Sequence, residues 1–327
     1  MNIKSLLLGS AAALAAVSGA QAADAIIAAE PEPMEYVRVC DAFGTGYFYI
    51  PGTETCLKVG GYVRFQVNAT NLDGARDWNA FTRGRLEVVS KSDTELGELT
   101  GFIAIHGQSD NQFTGEDNFY MDEVYLQLGG FKAGNYLNWW DKGINGETDQ
   151  IGGSRQNSIA YIYTGDAFTA GIQLDEIQES VVPGSDNDLG LEAIVTASFG
   201  AASIDLLGSY DFDAEEGAIR ALVSAEVGPG TLQAAGIWAS DVNYYYSGAE
   251  WTIAASYAFK ATEKFTITPG VQYFDNFLFS GDDAWRAGLT VDYAVTEGMA
   301  VKVTANYNDR DGADEFWDGF VRLQRSF

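Results

Sequence analysis

Residues 265–327 read FTITPGVQYFDNFLFSGDDAWRAGLTVDYAVTEGMAVKVTANYNDRDGADEFWDGFVRLQRSF. Every second residue from the start gives Phe265, Ile267, Pro269, Val271 and Tyr273, with Thr266, Thr268, Gly270 and Gln272 between them. The next segment gives Trp285, Ala287, Leu289, Val291 and Tyr293 against Arg286, Gly288, Thr290 and Asp292. A third gives Met299, Val301, Val303, Ala305 and Tyr307 against Ala300, Lys302, Thr304 and Asn306, and a fourth runs through Trp317, Val321 and Leu323 to Phe327. A period of two means strands with one apolar and one polar face. Apolar rows that end in aromatics at both edges, beside a polar face, are the pattern of a transmembrane β-barrel whose polar face lines a lumen.

Working outward, sixteen such segments follow one another from 57–68 to 317–327. Tight turns at Gly129-Gly130, Thr164-Gly165-Asp166, Phe199-Gly200, Gly228-Pro229-Gly230, Ala261-Thr262-Glu263 and Val295 to Gly298 alternate with longer loops. The loops span 69–79, 108–118, 138–156, 176–187, 211–216, 240–247, 275–282 and 308–316, and Lys91 to Gly97 is a longer member of the turn set. Short periplasmic turns alternating with long external loops are the outer-membrane barrel arrangement. Sixteen strands leave about 17 residues for each strand and its connection, against about 9–11 for one crossing. The expected fold is all-β, a 16-stranded antiparallel transmembrane barrel over 57–327.

The N-terminus places the chain in an exporting pathway. Lys4, the apolar run Ser5 to Gly19 and Ala20-Gln21-Ala22 form a signal peptide over 1–22 with its cleavage site. Residues 23–56 form a periplasmic segment, Pro-rich at first and then closed as a clip by Cys40 and Cys56. In an exported chain a disulfide between these two cysteines is expected. The formal charge of −27 excludes nucleic acid as a partner. The abundance of Tyr, Phe and Trp excludes disorder as the reason for that acidity.

The inward rows carry the candidate site. Lys58 and Arg64 on the first strand, Arg83 and Arg85 on the second and Lys132 on the fifth form a basic wall, joined by Tyr62, Phe81, Tyr136 and the later Arg322. The longest loop, Asn138 to Gln156, holds Asp141, Glu147 and Asp149 beside Trp139 and Trp140. Exposed tryptophans on an external loop are costly, so the loop is expected to fold inward and set its acids opposite the basic wall. Facing rows of opposite charge in a narrow water-filled passage orient polar solutes. The outward rows of strands 1 to 5 (Val59 to Val67, Gly84 to Val88, Gly101 to Ile105, Val124 to Leu128) nearly lack aromatic ends, which suggests that this sector packs against further subunits in a trimer. Acid clusters at Asp211, Asp213, Glu215 and Glu216, and at Asp309, Asp311, Asp314 and Glu315, would favour cations at the mouth. They also suggest divalent ions bridging to lipopolysaccharide. No spacing matches a metal or cofactor motif.

Three stretches resemble a known family. They are Tyr36-Val37-Arg38-Val39-Cys40-Asp41, then Gly46-Tyr47-Phe48-Tyr49-Ile50-Pro51-Gly52-Thr53-Glu54-Thr55-Cys56-Leu57, then Gly60-Gly61-Tyr62-Val63-Arg64. With the ending Arg322-Leu323-Gln324-Arg325-Ser326-Phe327, they are similar to the alphaproteobacterial outer-membrane porins of the Brucella and rhizobial kind. The resemblance implies a trimeric general-diffusion channel for small hydrophilic solutes in the outer membrane, with its third external loop, here 138–156, folded inward. It also implies that Phe327 belongs to the signal read by the barrel-assembly machinery. Two other readings compete. A substrate-selective sugar channel needs an aromatic track through the lumen, with Tyr62, Phe81, Tyr125 and Tyr136 as candidates. A barrel hydrolase needs a base, and the sole histidine is His106.

Overall fold

The structure is a computed structural model that describes residues 38–110, 119–178, 181–182 and 187–327. The expected signal peptide and the lead-in to residue 37 lie outside the described residues. One compact unit covers Val39–Phe327. Its sixteen long strands are β1 (Cys56–Thr70), β2 (Trp78–Thr94), β3 (Gly97–Asp110), β4 (Phe119–Leu128), β5 (Phe131–Leu137), β6 (Arg155–Thr164), β7 (Phe168–Ile177) and β8 (Asp188–Phe199). They continue with β9 (Ala202–Asp211), β10 (Glu216–Val227), β11 (Gly230–Ala239), β12 (Ala249–Lys260), β13 (Phe265–Phe277), β14 (Asp282–Thr296), β15 (Met299–Arg310) and β16 (Phe316–Ser326).

Each strand pairs antiparallel with the next, and β16 pairs with β1 from Asp318 opposite Thr70 to Ser326 opposite Tyr62. The sheet therefore closes on itself and leaves no free edge. The seam is finished by the last residue: the Phe327 amide donates to the Gly61 carbonyl and the Gly61 amide to the Phe327 carbonyl, each at 3.1 Å. No described helix is long and apolar enough to cross a membrane.

Side-chain parity divides the wall as the alternation requires. Val63, Phe65, Leu86, Ile103, Leu126, Ile172, Val223, Ile253, Val271, Leu289 and Val321 are exposed on the outer face, and Gln66, Thr100, Gln173, Ser256, Gln272, Thr290 and Asn306 are buried on the inner one. A water-soluble protein would not leave so many apolar rows open, whereas lipid covers them at no cost. The aromatic borders form contacts between neighbouring strands: Trp238 meets Trp251, Phe265 stacks on Tyr293, and Tyr307 lies between Trp285 and Trp317.

Two features differ from the alternation. First, strands run past their apolar stretches. β2 spans 78–94 rather than 80–90, because backbone pairing continues through the polar residues Ser92, Asp93 and Thr94 opposite Gly97 to Leu99. Second, β4 carries a bulge. Ala104 pairs with Glu123 and Ile105 with Met121, so Asp122 is an extra residue and parity flips across it. The first puts Trp78 and the second Phe119 at exposed strand ends within β1–β5, where Phe131, already on the outward row of β5, joins them, which corrects the aromatic-poor sector.

The clip is continuous with the barrel. Cys40 and Cys56 are bonded with their Cα atoms 6.0 Å apart. Phe48 and Tyr49 pair with Leu57 and Cys56 at the start of β1. A boundary between 56 and 57 would thus fall inside a strand.

Candidate functional site

The inner wall is not uniformly polar. Leu207, Leu222, Ala235, Ile237 and Ala254 on β9–β12 face away from the exposed rows and are buried in one apolar cluster. Trp140, Ile144 and Ile151, from the segment between β5 and β6, complete that cluster with Tyr245 and Tyr246 from the β11–β12 connection. Trp140 is fully buried and stacks on Tyr246 with centroids 6.0 Å apart. Arg220 on β10 donates from Nη1 to the Trp140 carbonyl and from Nη2 to the Trp139 carbonyl, both at 2.9 Å. Lys142 pairs with Asp205 of β9. Trp139 needs a glycine beneath it: a Cβ on Gly171 of β7 would stand 2.7 Å from its ring.

The same segment is also held by polar contacts to β11 and β13–β16. The amides of Asn145, Glu147 and Gln150 donate to Gln233 on β11, Thr290 on β14 and Gln272 on β13, at 2.6, 3.0 and 2.6 Å. Thr148 sits over Gly270 and Gly288, where added Cβ atoms would come within 2.8 and 2.6 Å of it. The Glu147 carboxylate meets Lys302 of β15 at 2.8 Å and Arg322 of β16 at 3.5 Å. A cavity of about 280 Å³ lies beside it, lined in part by Asn68, Arg286, Asp318 and Phe320. Asp149 turns back into its own segment and accepts from the Ile144 and Ile151 amides. Burial pushes its carboxyl up to about 6, against the pull of those amides, and the nearby Glu147 charge adds to the rise. Asp141 is exposed at the end of a short 3-10 turn, Trp139–Asp141.

The residues of the expected basic wall occupy different settings. Arg64 and Arg83 are directly opposite each other on β1 and β2, and among the described residues neither has a carboxylate within 4.0 Å. Arg85 is heavily charge-compensated: its guanidinium meets Glu87 at 2.8 Å, Glu123 at 2.9 Å, and Asp122. Asp122 also holds Arg155 at 2.9 Å. The Lys132 ammonium lies between the rings of Tyr125 and Tyr136, 4.0 and 3.6 Å from their centroids. Lys58 stands apart, 5.6 Å over the Tyr47 ring of the clip. His106 contacts the Tyr120 hydroxyl at 2.7 Å and Asp122 at 3.6 Å.

Sequence parity thus found the basic residues but missed their partners. Lys302 was visible on a polar row yet stood outside the expected wall. Asp122 was hidden because only the bulge turns it inward. The docking surface had a signal that went unused: Gly171, Gly270 and Gly288 all interrupt inner rows, and a glycine inside a strand often marks where another chain segment approaches.

A closed barrel with apolar outer rows and a polar, charged inner face is the architecture of an outer-membrane channel. Residues 24–323 match the porin subfamily, and the chain belongs to that family. It is 56% identical to a putative outer membrane protein of Sinorhizobium fredii, covering 100% of this chain and 99% of that one. It is 46% identical to outer membrane protein IIIA of Rhizobium leguminosarum bv. viciae, covering 100% and 95%. It is 34% identical to porin Omp2b of Brucella canis over the whole of both chains. Among solved structures, an anion-selective porin from Comamonas acidovorans superposes with a TM-score of 0.65 at 14% identity, covering 84% of this chain and 100% of that one. A mutant of the Rh. blastica porin superposes with a TM-score of 0.59 at 16% identity, covering 83% and 100%. These likenesses carry the fold alone.

Proposed function

We propose that the barrel is a passive, water-filled channel through which small hydrophilic solutes and ions diffuse across the outer membrane. Segment 138–154 is its inward-folded third external loop. The observation that carries the reading is the pairing of exposed apolar outer rows with a polar inner wall in a closed barrel. The buried Trp140, Ile144 and Ile151, set against inner-row residues of β9–β12, support the place of the loop. The passage then runs off-centre, between the loop and the wall of β14 to β3, with Glu147 on one side and Arg64 and Arg83 on the other. In this reading Lys58 and Arg85 shape the wall without meeting solute at the narrowest point. The charge there is set by Glu147, Lys302, Arg322, Arg64 and Arg83, with Asp149 and Asp141 in the loop behind.

A homotrimer packed through the outer rows of β1–β5 is the proposed assembly. Its support narrows to the aliphatic rows of β1 and β3, given the aromatic ends of β2, β4 and β5. Outer-membrane lipid and lipopolysaccharide surround it, and the assembly machinery recognises Phe327. The reading contains no catalytic step. It also disfavours a sugar track: Lys132 already covers the rings of Tyr125 and Tyr136 that such a track would use.

Planar-bilayer recording with purified protein tests the function directly. Unitary steps closing in threes, with permeability falling smoothly as solute size rises, are the expected result. A protein that never conducts would refute it.

A further inference from the structure

Three arginines around the β16–β1 seam repeat one arrangement. Arg64 lies over the ring of Tyr62, two residues back on the same row, at 4.6 Å, and its Nε donates to Gln324 of β16 at 2.9 Å. Arg83 lies over Phe81 at 5.0 Å, and its Nε and one Nη donate to Gln108 of β3 at 3.2 and 2.7 Å. Arg322 lies over Phe320 at 4.2 Å, and its Nε donates to Gln66 of β1 at 2.6 Å. In each unit an aromatic platform supports the guanidinium plane and a neutral glutamine oxygen holds Nε. The opposite edge is left for something else. A ring face and an amide oxygen fix orientation without neutralising charge.

The contrast with Arg85, two residues from Arg83 on the same row and tied to three carboxylates, is what gives this arrangement meaning. If the wall needed only packed, satisfied arginines, the Arg85 solution was at hand. Arg64 and Arg83 instead stand opposite each other with no carboxylate within 4.0 Å among the described residues, and Glu147 acts on Arg64 only from further off. Arg322 shares a single longer contact with Glu147. The three cations repel one another, a cost that an incoming anion removes. All three arginines are half-buried, so part of each side chain stays open, and the cavity beside Glu147 is bordered by Phe320 of β16, the ring beneath Arg322, and by Asn68 of β1.

We propose that Arg64, Arg83 and Arg322 form a preorganised binding site for a small multivalent oxyanion of the phosphate type within the lumen. A guanidinium fork matches paired phosphate oxygens, and two forks held face to face by neutral partners offer more than a diffuse positive field. The site acts on residence of such solutes and is separable from the acidic mouth, which governs bulk ion preference. It deepens the channel reading above in naming a solute class, but binding itself does not require conduction.

The test uses the folded full barrel in detergent, titrated with inorganic phosphate in a calorimeter at constant ionic strength, with acetate as the monovalent control. Saturable heat with phosphate and none with acetate is expected. Arg64→Lys with Arg83→Lys keeps the charge and loses the forks, and is expected to weaken binding roughly tenfold. Arg64→Gln with Arg83→Gln is expected to abolish it. Heat-resistant gel migration confirms that each variant is folded, and the Lys pair keeps the test open if the Gln pair is not. Linear heats with phosphate, equal binding of acetate, or full affinity in the Lys pair would each overturn the site. Phosphate reducing chloride current in bilayers with the same half-saturation would support it further. A barrel that binds phosphate but never conducts would sink the channel reading and leave the site standing.

Discussion

The guanidinium of Arg220 donates to the carbonyl of Trp140 at 2.9 Å, from a strand 80 residues further along the chain. With the second bond to Trp139, this single buried side chain satisfies two carbonyls of a turn that has no strand partner of its own. Hydrogen bonds from a charged donor contribute about 1.5–3 kcal/mol each. Arg220→Ala should therefore loosen segment 138–154 by about 3 kcal/mol or more. The expected readout is a larger, noisier unitary conductance and faster proteolytic cleavage between Trp139 and Gln156, in a barrel that still migrates as heat-resistant.

Glu147 neutralises Lys302 and part of Arg322. Glu147→Gln leaves both cations facing the passage, so the reversal potential in a salt gradient should move toward anions. The pair is partly solvated, and its loss should cost the barrel no more than about 1 kcal/mol of stability. An unmoved reversal potential would place the passage elsewhere.

Asp149 titrates near 6, well above its usual range, because burial disfavours its charge. The sign follows from that: the folded chain holds the proton more tightly than the unfolded one. The loop is then most firmly docked at low pH and loses that advantage as pH rises through about 4 to 6. Lowering pH from about 7 to about 5 removes one negative charge from the loop. Cation preference should fall with a midpoint near 6, and Asp149→Asn should flatten that step while leaving the Glu147 contribution.

The Cys40–Cys56 bond closes a separation of 16 residues, for which the chain-entropy account gives about 3 kcal/mol. Cys40→Ser with Cys56→Ser should lower the temperature at which the barrel loses heat resistance, and reducing agent should do the same to the wild type but not to the variant.

Deleting Phe327 removes both backbone hydrogen bonds to Gly61 along with the terminal aromatic. Less heat-resistant barrel in outer membranes is expected. Normal barrel levels with Phe327→Trp or Phe327→Tyr, but reduced levels with Phe327→Ser, would separate the side chain from the backbone.

The strand count, the closed fold and the two faces were all legible because lipid imposes a period-two code on every strand, and rows such as Phe265 to Tyr273 carry it without interruption. Arg64, Arg83 and Lys132 were legible as inward for the same reason. Partners were not. Parity says which face a side chain joins, but not at what height or against which strand, so the loop acids were expected opposite the wall of β1, β2 and β5, and the direct contacts of Glu147 with Lys302 of β15 and Arg322 of β16 were not legible. The bulge at Asp122 was illegible for a different cause: an extra residue in a ladder leaves no mark in composition. The apolar inner patch on β9–β12 reads in sequence as two apolar faces on one strand. It is explained by what packs on it: Trp140, Ile144 and Ile151 of segment 138–154, with Tyr245 and Tyr246.

The seam between β16 and β1 joins residues 260 positions apart, as the Arg64–Gln324 bond records. Arg64, Arg322 and their glutamine clamps are built from the two ends of the barrel chain, and each clamp is supplied by the other end. Neither end can hold its arginine alone. Two of the three arginines of the proposed anion site therefore reach their final setting only when the first and last strands zip together, so a barrel left open at that seam would keep Arg83 alone on its clamp.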